Sequence, residues 1–201
     1  MNFLGHLYFS KGDPDLMIAN LYGDFVKGRD YSHLPDIVQK GVRLHREIDD
    51  FIDHHPIVKD LRLSLYEDLP KIAGIAIDLY IDHLLAKNWL DYSSTTLEKF
   101  TERFFAHALD ESNLVLANDI ESFTYPTYFR DLIEVMHRKN WLTRYQNIEG
   151  LEMASTGLST RISFNNNLHF APAVFLKHQE RIETVFRSYM KDAKHHFIHW
   201  K

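Results

Sequence analysis

Metal-capable side chains recur at four-residue intervals in two segments of this sequence. His45, Asp49 and Asp53 share one segment, and Asp78 and Asp82 share the other. Because residues four apart on an α-helix lie on one face about one turn apart, each set presents its nitrogen and oxygen atoms together. Two such faces packed against each other can enclose a divalent cation. The spacing therefore predicts metal-assisted hydrolysis.

Further polar residues accompany these two sets. Asn20 and Asp24 form another pair at the same interval, and Arg46 and His83 directly follow members of the two sets. An arginine beside the metal ligands can neutralise phosphoryl oxygens, and a histidine can donate a proton to a leaving oxygen. The alternative for Arg46 is that it only contributes solubilising charge at the surface.

Asp78 and Asp82 interrupt a segment, residues 72–85, that is otherwise apolar enough to be buried. An unpaired buried carboxylate is expensive, so these two call for a cation or for strong hydrogen-bond donors. Salt bridges to Arg43 or Arg46 are the alternative. For the acidic residues around Asp49, the alternative is a solvated acidic helix face.

The ligand types limit the choice of ion. The chain has no cysteine, so a metal site must use nitrogen and oxygen atoms. Such a set suits Mn²⁺, our first choice, or Mg²⁺, and Fe²⁺ or Zn²⁺ if more imidazoles join. The ion would lower the pKa of a water molecule and neutralise charge on a phosphoryl group. The number of candidate ligands leaves room for a second ion.

Composition narrows the class of protein. The 201 residues carry 23 basic and 28 acidic side chains, for a net charge of −5, which argues against binding nucleic acid through a broad basic surface. The first residues lack the pattern of a signal peptide, and no apolar stretch approaches the ~18 residues that cross a bilayer. Because the chain also lacks cysteine, we expect a cytoplasmic protein with no membrane partner.

The elements that position these residues are predicted to be helices. Gly and Pro are scarce, at 8 and 6 residues, and apolar residues recur mostly at intervals of three and four. We expect an all-α fold, with residues 1–201 forming a single compact multi-helix domain and no strand pair. The predicted helices are Pro14 to about Gly28, Pro35 to Pro56, Ile57–Tyr66, Pro70–Trp89, Ser94–Leu109, Leu114–Ile120, Tyr128–His137 and Pro172–Phe197.

An ordered set of motifs runs over nearly the whole chain and resembles the acyl carrier protein phosphodiesterase family. These motifs are Met1–Leu7 (MNFLGHL), Asn20–Phe25 (NLYGDF), His45–Asp49 (HREID), Asp78–His83 (DLYIDH), Trp141–Tyr145 (WLTRY) and Met153–Ser155 (MAS). The resemblance implies an HD-like helical fold, distantly related to the HD-domain phosphohydrolases. It also implies manganese-dependent removal of 4′-phosphopantetheine from the serine of holo-acyl carrier protein.

The resemblance also implies roles for individual residues. His6, Asp24, His45, Asp49, Asp78 and Asp82 are expected metal ligands, and His45, Asp49 and His83 are expected catalytic residues. Arg46 is a further expected catalytic residue because of its position beside His45. One segment departs from the pattern, because Thr156-Gly157-Leu158 follows Met-Ala-Ser where the family often has arginine. Acyl carrier protein is acidic, so the expected docking surface is basic, and Arg29, Lys40, Arg43 and Lys87 are its candidates.

Two other functions stay open on the sequence. A phosphohydrolase of the HD type could use the same residues on a nucleotide or another small phosphoester. A helical interaction module without catalytic activity would carry the Asp and His pairs for structural reasons alone.

Overall fold

The computed structural model describes residues 1–117 and 122–200. The all-α prediction is confirmed, because helices account for nearly all regular structure in these residues. The α-helices are α1 (Phe3–Phe9), α2 (Pro14–Tyr22), α3 (Asp36–His54), α4 (Pro56–Ser64), α5 (Ala73–Lys87), α6 (Leu97–Ala108), α7 (Thr127–Arg138), α8 (Trp141–Arg144), α9 (Ile148–Ser159), α10 (Ala171–Lys177) and α11 (Gln179–Phe197).

Local signals explain where the site-bearing helices begin. The Asp13 carboxylate accepts a hydrogen bond from the Leu16 amide and caps α2, with Pro14 at its first position. Proline likewise opens α4 at Pro56, and it therefore separates α4 from α3. Helix α3 is strongly amphipathic, with Val38, Val42 and Ile48 fully buried. Its polar residues are thus held in a fixed rotation about the helix axis.

Two short strands contradict the expectation that no strands pair. Strands β1 (Val115–Ala117) and β2 (Ser122–Thr124) are antiparallel, with Val115 opposite Thr124. The helix predicted at Leu114–Ile120 is wrong up to residue 117, and its residues 118–120 lie outside the described part of the chain. A 3₁₀ turn at Glu111–Leu114 takes its place and leads into β1. Pairing with β2 outweighs the weak helical pattern there.

The helix predicted at Pro172–Phe197 is also wrong in its continuity, because it consists of α10 and α11. The break is at His178, whose backbone angles (φ −115°, ψ 18°) leave the helical region. The His178 ring lies 2.8 Å from an Asp68 carboxylate oxygen, and Lys177 contacts the same carboxylate. These tertiary contacts hold the chain in the broken conformation that sequence periodicity does not reveal.

The described residues fall into two compact units. One consists of residues 1–5, 49–89 and 144–200, and the other of residues 6–48, 90–117 and 122–143. In the first unit, α5 packs on α9, α4 and α11, and the Tyr80 hydroxyl donates to the Ala171 carbonyl at 2.8 Å. In the second, α6 packs on α2 and α7, and a cluster of aromatic rings includes Tyr22, Tyr125 and Phe129.

Helices α1 and α3 each contribute to both units, and both run unbroken. No helix in the described part of the chain combines the length and apolar character needed to cross a membrane. The prediction of a single domain and the relation to HD-domain proteins stay predictions.

Candidate metal centre

Two buried histidines from different helices stack on each other. The imidazole rings of His6, on α1, and His45, on α3, lie with centroids 4.1 Å apart and planes 13° from parallel. Their residues are only 2% and 8% exposed. The motif on α1 and the motif on α3 are thus brought to one place, and they place two potential nitrogen ligands side by side.

Asn20 determines the tautomer of both rings. Its amide nitrogen donates to the His6 carbonyl at 2.8 Å and to Ser10 Oγ at 3.0 Å, so its Oδ1 atom must be an acceptor. His6 Nδ1, 3.1 Å from that oxygen, therefore donates to it. His45 Nδ1 donates to the backbone carbonyl of Asn20 at 2.9 Å.

In the neutral form of an imidazole, a hydrogen bond donated by Nδ1 leaves the lone pair on Nε2. Histidines that bind metals usually donate their other ring nitrogen to a carbonyl or carboxylate in this way, which fixes the ring and raises its basicity. Asn20 is completely buried, so water does not compete for its hydrogen bonds. The local network matches the requirements of a metal-binding histidine pair.

Gly23 gives His45 the room to adopt this position. A Cβ atom at residue 23 would lie 2.6 Å from His45 Cβ and 2.8 Å from His45 Cγ. Because the clash would involve the base of the side chain, the ring could not avoid it by a small rotation alone. The glycine in the NLYGDF motif is therefore explained by close packing against the imidazole.

Asp49 completes a group of three potential ligands. It follows His45 by one turn of α3, and His6, His45 and Asp49 each offer a ligand atom within 4.8 Å of the others. Ligand atoms around a bound transition metal are separated by roughly 3 to 4 Å, since each lies about 2 Å from the ion. Small side-chain rotations would bring these atoms to that spacing, so the donor set fits a divalent cation.

Asp82 has a different environment, in which its carboxylate binds backbone amides. Its two oxygens accept hydrogen bonds from the amides of Leu4 at 2.7 Å and Gly5 at 3.1 Å, in the first turn of α1. Burial raises the pKa of Asp82 to about 7, although the positive charge of the Met1 amino group and these two hydrogen bonds oppose the increase. The carboxylate thus satisfies helix amides that have no partner within the helix.

Asp78 lies one turn before Asp82 and contacts the α-ammonium group of Met1. The nitrogen lies 3.2 Å from Asp78 Oδ1 and 3.3 Å from Asp49 Oδ1. Burial raises the pKa of Asp78, while the ammonium charge opposes this increase. Asp78 and Asp82 therefore both contact strong hydrogen-bond donors, as expected for carboxylates in this apolar segment. These donors are the Met1 ammonium group and two backbone amides, and not the side chains of Arg43 or Arg46.

His83, the other expected catalytic histidine, contacts different residues from its neighbour Asp82. Its Nδ1 atom donates to the Tyr145 carbonyl at 2.7 Å, and its ring meets the edge of Phe175. Burial lowers the pKa of His83. Successive helical residues point about 100° apart, which explains why neighbours in sequence have different surroundings. A catalytic role for His83 stays a prediction.

Arg46 and Asp24 lie apart from the three-residue group. The Arg46 guanidinium donates to the carbonyls of Val26 and Gly28 and lies over the Tyr31 ring, so it organises the segment after α2. Asp24 is exposed, and among the described residues it is not part of a potential metal-binding group. Their expected roles stay predictions.

Two other acidic residues of α3, Asp50 and Asp53, match the alternative of a solvated face. Asp53 pairs with Arg62 at 2.5 Å, and Asp50 pairs with His54 at 3.1 Å. All four side chains are at least about one third exposed. Asp49 differs from Asp50 and Asp53 because it contacts the buried Met1 amino group.

Sequence reasoning assigned no specific role to two of the groups that organise this region. The first is Asn20, a polar residue in the otherwise apolar second half of α2, and that position is the sequence signal for a buried hydrogen-bonding role. The second is the Met1 amino group, for which the sequence offers no signal beyond the need of Asp78 for a donor.

Comparison with known proteins shows which family the chain belongs to. A family model described as acyl carrier protein phosphodiesterase matches residues 1–193. The chain is similar to proteins named acyl carrier protein phosphodiesterase from Salmonella dublin, 28% identical over 161 residues, and from Salmonella agona (strain SL483), 29% identical over 162 residues. Each alignment covers 80% of this chain and 79% of the relative. No solved structure matches the chain. The chain therefore belongs to the acyl carrier protein phosphodiesterase family.

Proposed function

We propose that this chain is a metal-dependent phosphodiesterase that hydrolyses the bond between 4′-phosphopantetheine and the serine of holo-acyl carrier protein. The products would be apo-acyl carrier protein and 4′-phosphopantetheine. Membership in the family supports the substrate, since the relatives carry that name. The residues around His45 support the type of reaction.

The observation that carries the proposal is the group formed by His6, His45 and Asp49. Two imidazoles in the tautomer suited to metal binding and one carboxylate lie within 4.8 Å. Asn20 holds both Nδ1 atoms, through its side-chain oxygen for His6 and its backbone carbonyl for His45, as is usual for histidines that bind metals. The arrangement is typical of two-histidine, one-carboxylate metal sites.

Mn²⁺ is the first proposed cofactor. Two imidazole nitrogens also suit Fe²⁺ and Zn²⁺, whereas Mg²⁺ prefers a set made entirely of oxygen ligands. When bound, the ion would lower the pKa of a water molecule and neutralise negative charge on the phosphoryl oxygens. The identity of the metal can be tested by its relative affinity and by the activity it restores.

The chain's own residues would have the following roles. His6, His45 and Asp49 hold the cation, and Asn20 holds both imidazoles in place. Water oxygen adds to phosphorus, the bond from phosphorus to the serine oxygen breaks, and that oxygen takes up a proton. The attacking water releases a proton, and solvent supplies the proton that the serine oxygen takes up; a role of His83 as the proton donor stays a prediction.

The test is incubation of the purified protein with Mn²⁺ and holo-acyl carrier protein, followed by mass measurement of the carrier protein. We expect the mass to fall by that of the prosthetic group. The Asp49→Asn variant should lose this activity. Its matched control is Asp50→Asn, on the same helix and 74% exposed at its side chain, which should retain it. Full activity of Asp49→Asn would exclude the proposed centre.

Two further measurements test the two alternative functions, a small-phosphoester phosphohydrolase and a helical interaction module. Faster hydrolysis of members of a nucleotide panel than of holo-acyl carrier protein would favour a small-phosphoester phosphohydrolase. Elemental analysis that finds no metal, with unchanged stability after chelation, would favour a helical interaction module. Neither result is expected from a site with three convergent ligands.

The proposed docking surface for the carrier protein lies on α3. Lys40 and Arg43 line a surface cavity of about 440 Å³ together with Asp36, Ile37 and Gln39, and Arg43 is exposed. Lys87 was also a candidate, but it pairs with Glu183 at 3.4 Å, which reduces its value for attracting an acidic partner. Electrostatic attraction by this surface would make association sensitive to salt.

A further inference from the structure

The carboxylate of Asp82 anchors the first turn of α1. It is completely buried, and its oxygens accept hydrogen bonds from the Leu4 amide at 2.7 Å and the Gly5 amide at 3.1 Å. A Cβ atom at Gly5 would lie 3.1 Å from Asp82 Oδ1, so the glycine permits this close approach. The first amides of a helix have no partner within it, and a carboxylate is a strong acceptor for them. These two hydrogen bonds therefore fix the position at which α1 begins.

The helix that carries Asp82 is itself held by hydrogen bonds on both sides of this residue. The Tyr80 hydroxyl donates to the Ala171 carbonyl at 2.8 Å, and His83 Nδ1 donates to the Tyr145 carbonyl at 2.7 Å. Tyr80, Asp82 and His83 are all buried, with at most 3% of each residue exposed. Buried hydrogen bonds to other segments oppose rotation and sliding of α5. Asp82 is therefore a rigid support for the helix that it contacts.

His6 belongs to the short helix that Asp82 anchors. Because α1 has only seven residues, a displacement of its first turn moves His6 as well. The Ser10 hydroxyl donates to the His6 carbonyl at 2.9 Å, and the Asn20 amide donates to the same carbonyl at 2.8 Å. Asp82 thus holds the start of the helix, whereas Asn20 holds its later part and orients the ring of His6.

Asp82 lies outside the group of potential metal ligands. His6, His45 and Asp49 each offer a ligand atom within 4.8 Å of the others, and in the described part of the chain no such group includes Asp82. Both oxygens of Asp82 already accept hydrogen bonds from amides. Rotation of this carboxylate toward a cation would leave two buried amides without acceptors, which is unfavourable. The geometry therefore suits a residue that supports a ligand.

We propose that Asp82 is a positioning residue of the metal centre, which places His6 through the first turn of α1 and does not bind the ion itself. The hydrogen bonds stand on geometry alone, whereas the effect on metal binding rests on the proposed function. Replacing a residue that holds a metal ligand commonly lowers the affinity by about 10- to 100-fold. One consequence is that replacing Asp82 weakens metal binding only while His6 is present.

The first test is titration of the metal-free protein with Mn²⁺, followed by the EPR signal of the free ion, which also measures weak binding. The chains are the original, Asp82→Asn, His6→Ala and the double variant. We expect Asp82→Asn to weaken binding roughly 10- to 100-fold, because the asparagine oxygen replaces only one of two acceptor atoms. In the His6→Ala background, the same substitution should change the affinity by less than about threefold. The control is Asp60→Asn, at an exposed position of α4, with unchanged affinity.

Two results of this titration would overturn the proposal. One is an equal loss of affinity from Asp82→Asn in both backgrounds, because Asp82 would then act independently of His6. The other is an Asp82→Asn variant with the affinity of the original chain.

The second test compares the ligands themselves through the absorption spectrum of bound Co²⁺, which depends on the number and type of ligands. We expect Co²⁺-loaded Asp82→Asn to keep the band positions of the original chain, because His6, His45 and Asp49 are all retained. His6→Ala should shift the bands, since it lacks one proposed ligand. A shift in Asp82→Asn as large as that in His6→Ala would identify Asp82 as a ligand and overturn the proposal.

Amide hydrogen exchange in the metal-free original chain tests the anchor without any substitution, and so decides it even where Asp82→Asn does not fold. We expect the Leu4 and Gly5 amides to exchange at least about 100-fold more slowly than in the unfolded chain, because Asp82 holds them. Exchange as fast as in the unfolded chain would overturn the proposal. Absence of any Mn²⁺ binding by the original chain, with both amides protected, would instead contradict the proposed function and leave the anchor confirmed.

Discussion

The histidine pair and the carboxylate cluster contain residues of similar type and spacing but differ in how their polar atoms are satisfied. At His6 and His45, the hydrogen bonds to Asn20 use Nδ1 and keep the lone pair on Nε2. At Asp78 and Asp82, the oxygens already contact an ammonium group and two backbone amides. A four-residue interval of metal-capable side chains therefore identifies polar helix faces, whereas the donors around these side chains distinguish potential metal ligands from internally paired groups.

The largest expected effect separates the two regions by activity. His45→Ala removes a proposed ligand and should lower kcat/KM for release of the prosthetic group at least about 1,000-fold, because the ion supplies several kcal/mol of transition-state stabilisation. The control is His54→Ala, an exposed residue on the same helix, with expected activity near that of the original protein. Retention of activity by His45→Ala would place the centre elsewhere.

The next effect concerns stability at the carboxylate cluster. Asp82→Ala leaves the amides of Leu4 and Gly5 without acceptors in a buried site, so we expect a loss of about 3 kcal/mol in the free energy of unfolding. Urea denaturation measures it. Asp60→Ala, at an exposed position of α4, should change the free energy by less than about 0.5 kcal/mol. A loss for Asp82→Ala no larger than for this control would show that the amide contacts contribute little.

A smaller effect tests the hydrogen bond between Asn20 and the histidine pair. Asn20→Ala removes the acceptor of His6 Nδ1 and should weaken Mn²⁺ binding by roughly 10- to 100-fold. Calorimetry provides the affinity, and the unfolding temperature reports any loss of structure. Asn88→Ala, which removes a partly buried amide that donates to the Leu84 carbonyl, controls for the loss of an asparagine in the fold. If both variants bound Mn²⁺ alike, Asn20 would have no special role at the centre.

The stability of the carboxylate cluster is expected to depend on alkaline pH, because the Met1 amino group lies among these carboxylates. Burial would lower the pKa of the Met1 amino group, but the charges of Asp78, Asp49 and Asp82 outweigh it and raise the pKa from 8.0 to about 10. Tyr189 also faces these carboxylates, and burial raises its pKa. A raised pKa of a cationic group stabilises the fold fully below pH 8, and this contribution is lost as pH rises through about 10.

We therefore expect the metal-free protein to lose up to roughly 2 kcal/mol of its free energy of unfolding between pH 8 and pH 10. Denaturation at a series of pH values measures the loss. The chain with one glycine before Met1 should show a much flatter profile over the same interval. A profile of the same slope in both chains would assign the alkaline loss to other groups.

The smallest expected effect concerns the exposed face of α3. Arg43→Gln should lower kcat/KM for holo-acyl carrier protein about threefold at low salt and have almost no effect at high salt, because surface charges act mainly on association. The control is Arg103→Gln, an exposed arginine of α6. An effect of Arg43→Gln that is independent of salt would argue against electrostatic attraction at this surface.

Much of the fold followed from local patterns. The helical spacing of apolar residues located α3, α5 and α7 to within a few residues, because periodicity and proline positions are properties of short segments. The strand pair and the break at His178 were missed. The break at His178 depends on a partner distant in sequence, Asp68, and the strand pair depends on backbone pairing of Val115 with Thr124, which the spacing of apolar residues does not reveal.

For the candidate site, the sequence by itself determined the set of residues able to bind a metal and the interval at which helices present them. Only the tertiary structure decided that His45 stacks on His6, that Asn20 fixes both rings, and that Asp78 and Asp82 face an ammonium group and amides. The physical reason is that spacing along a helix is set by backbone geometry within one segment. The atoms opposite that face come from segments brought there by burial of the apolar sides of other helices.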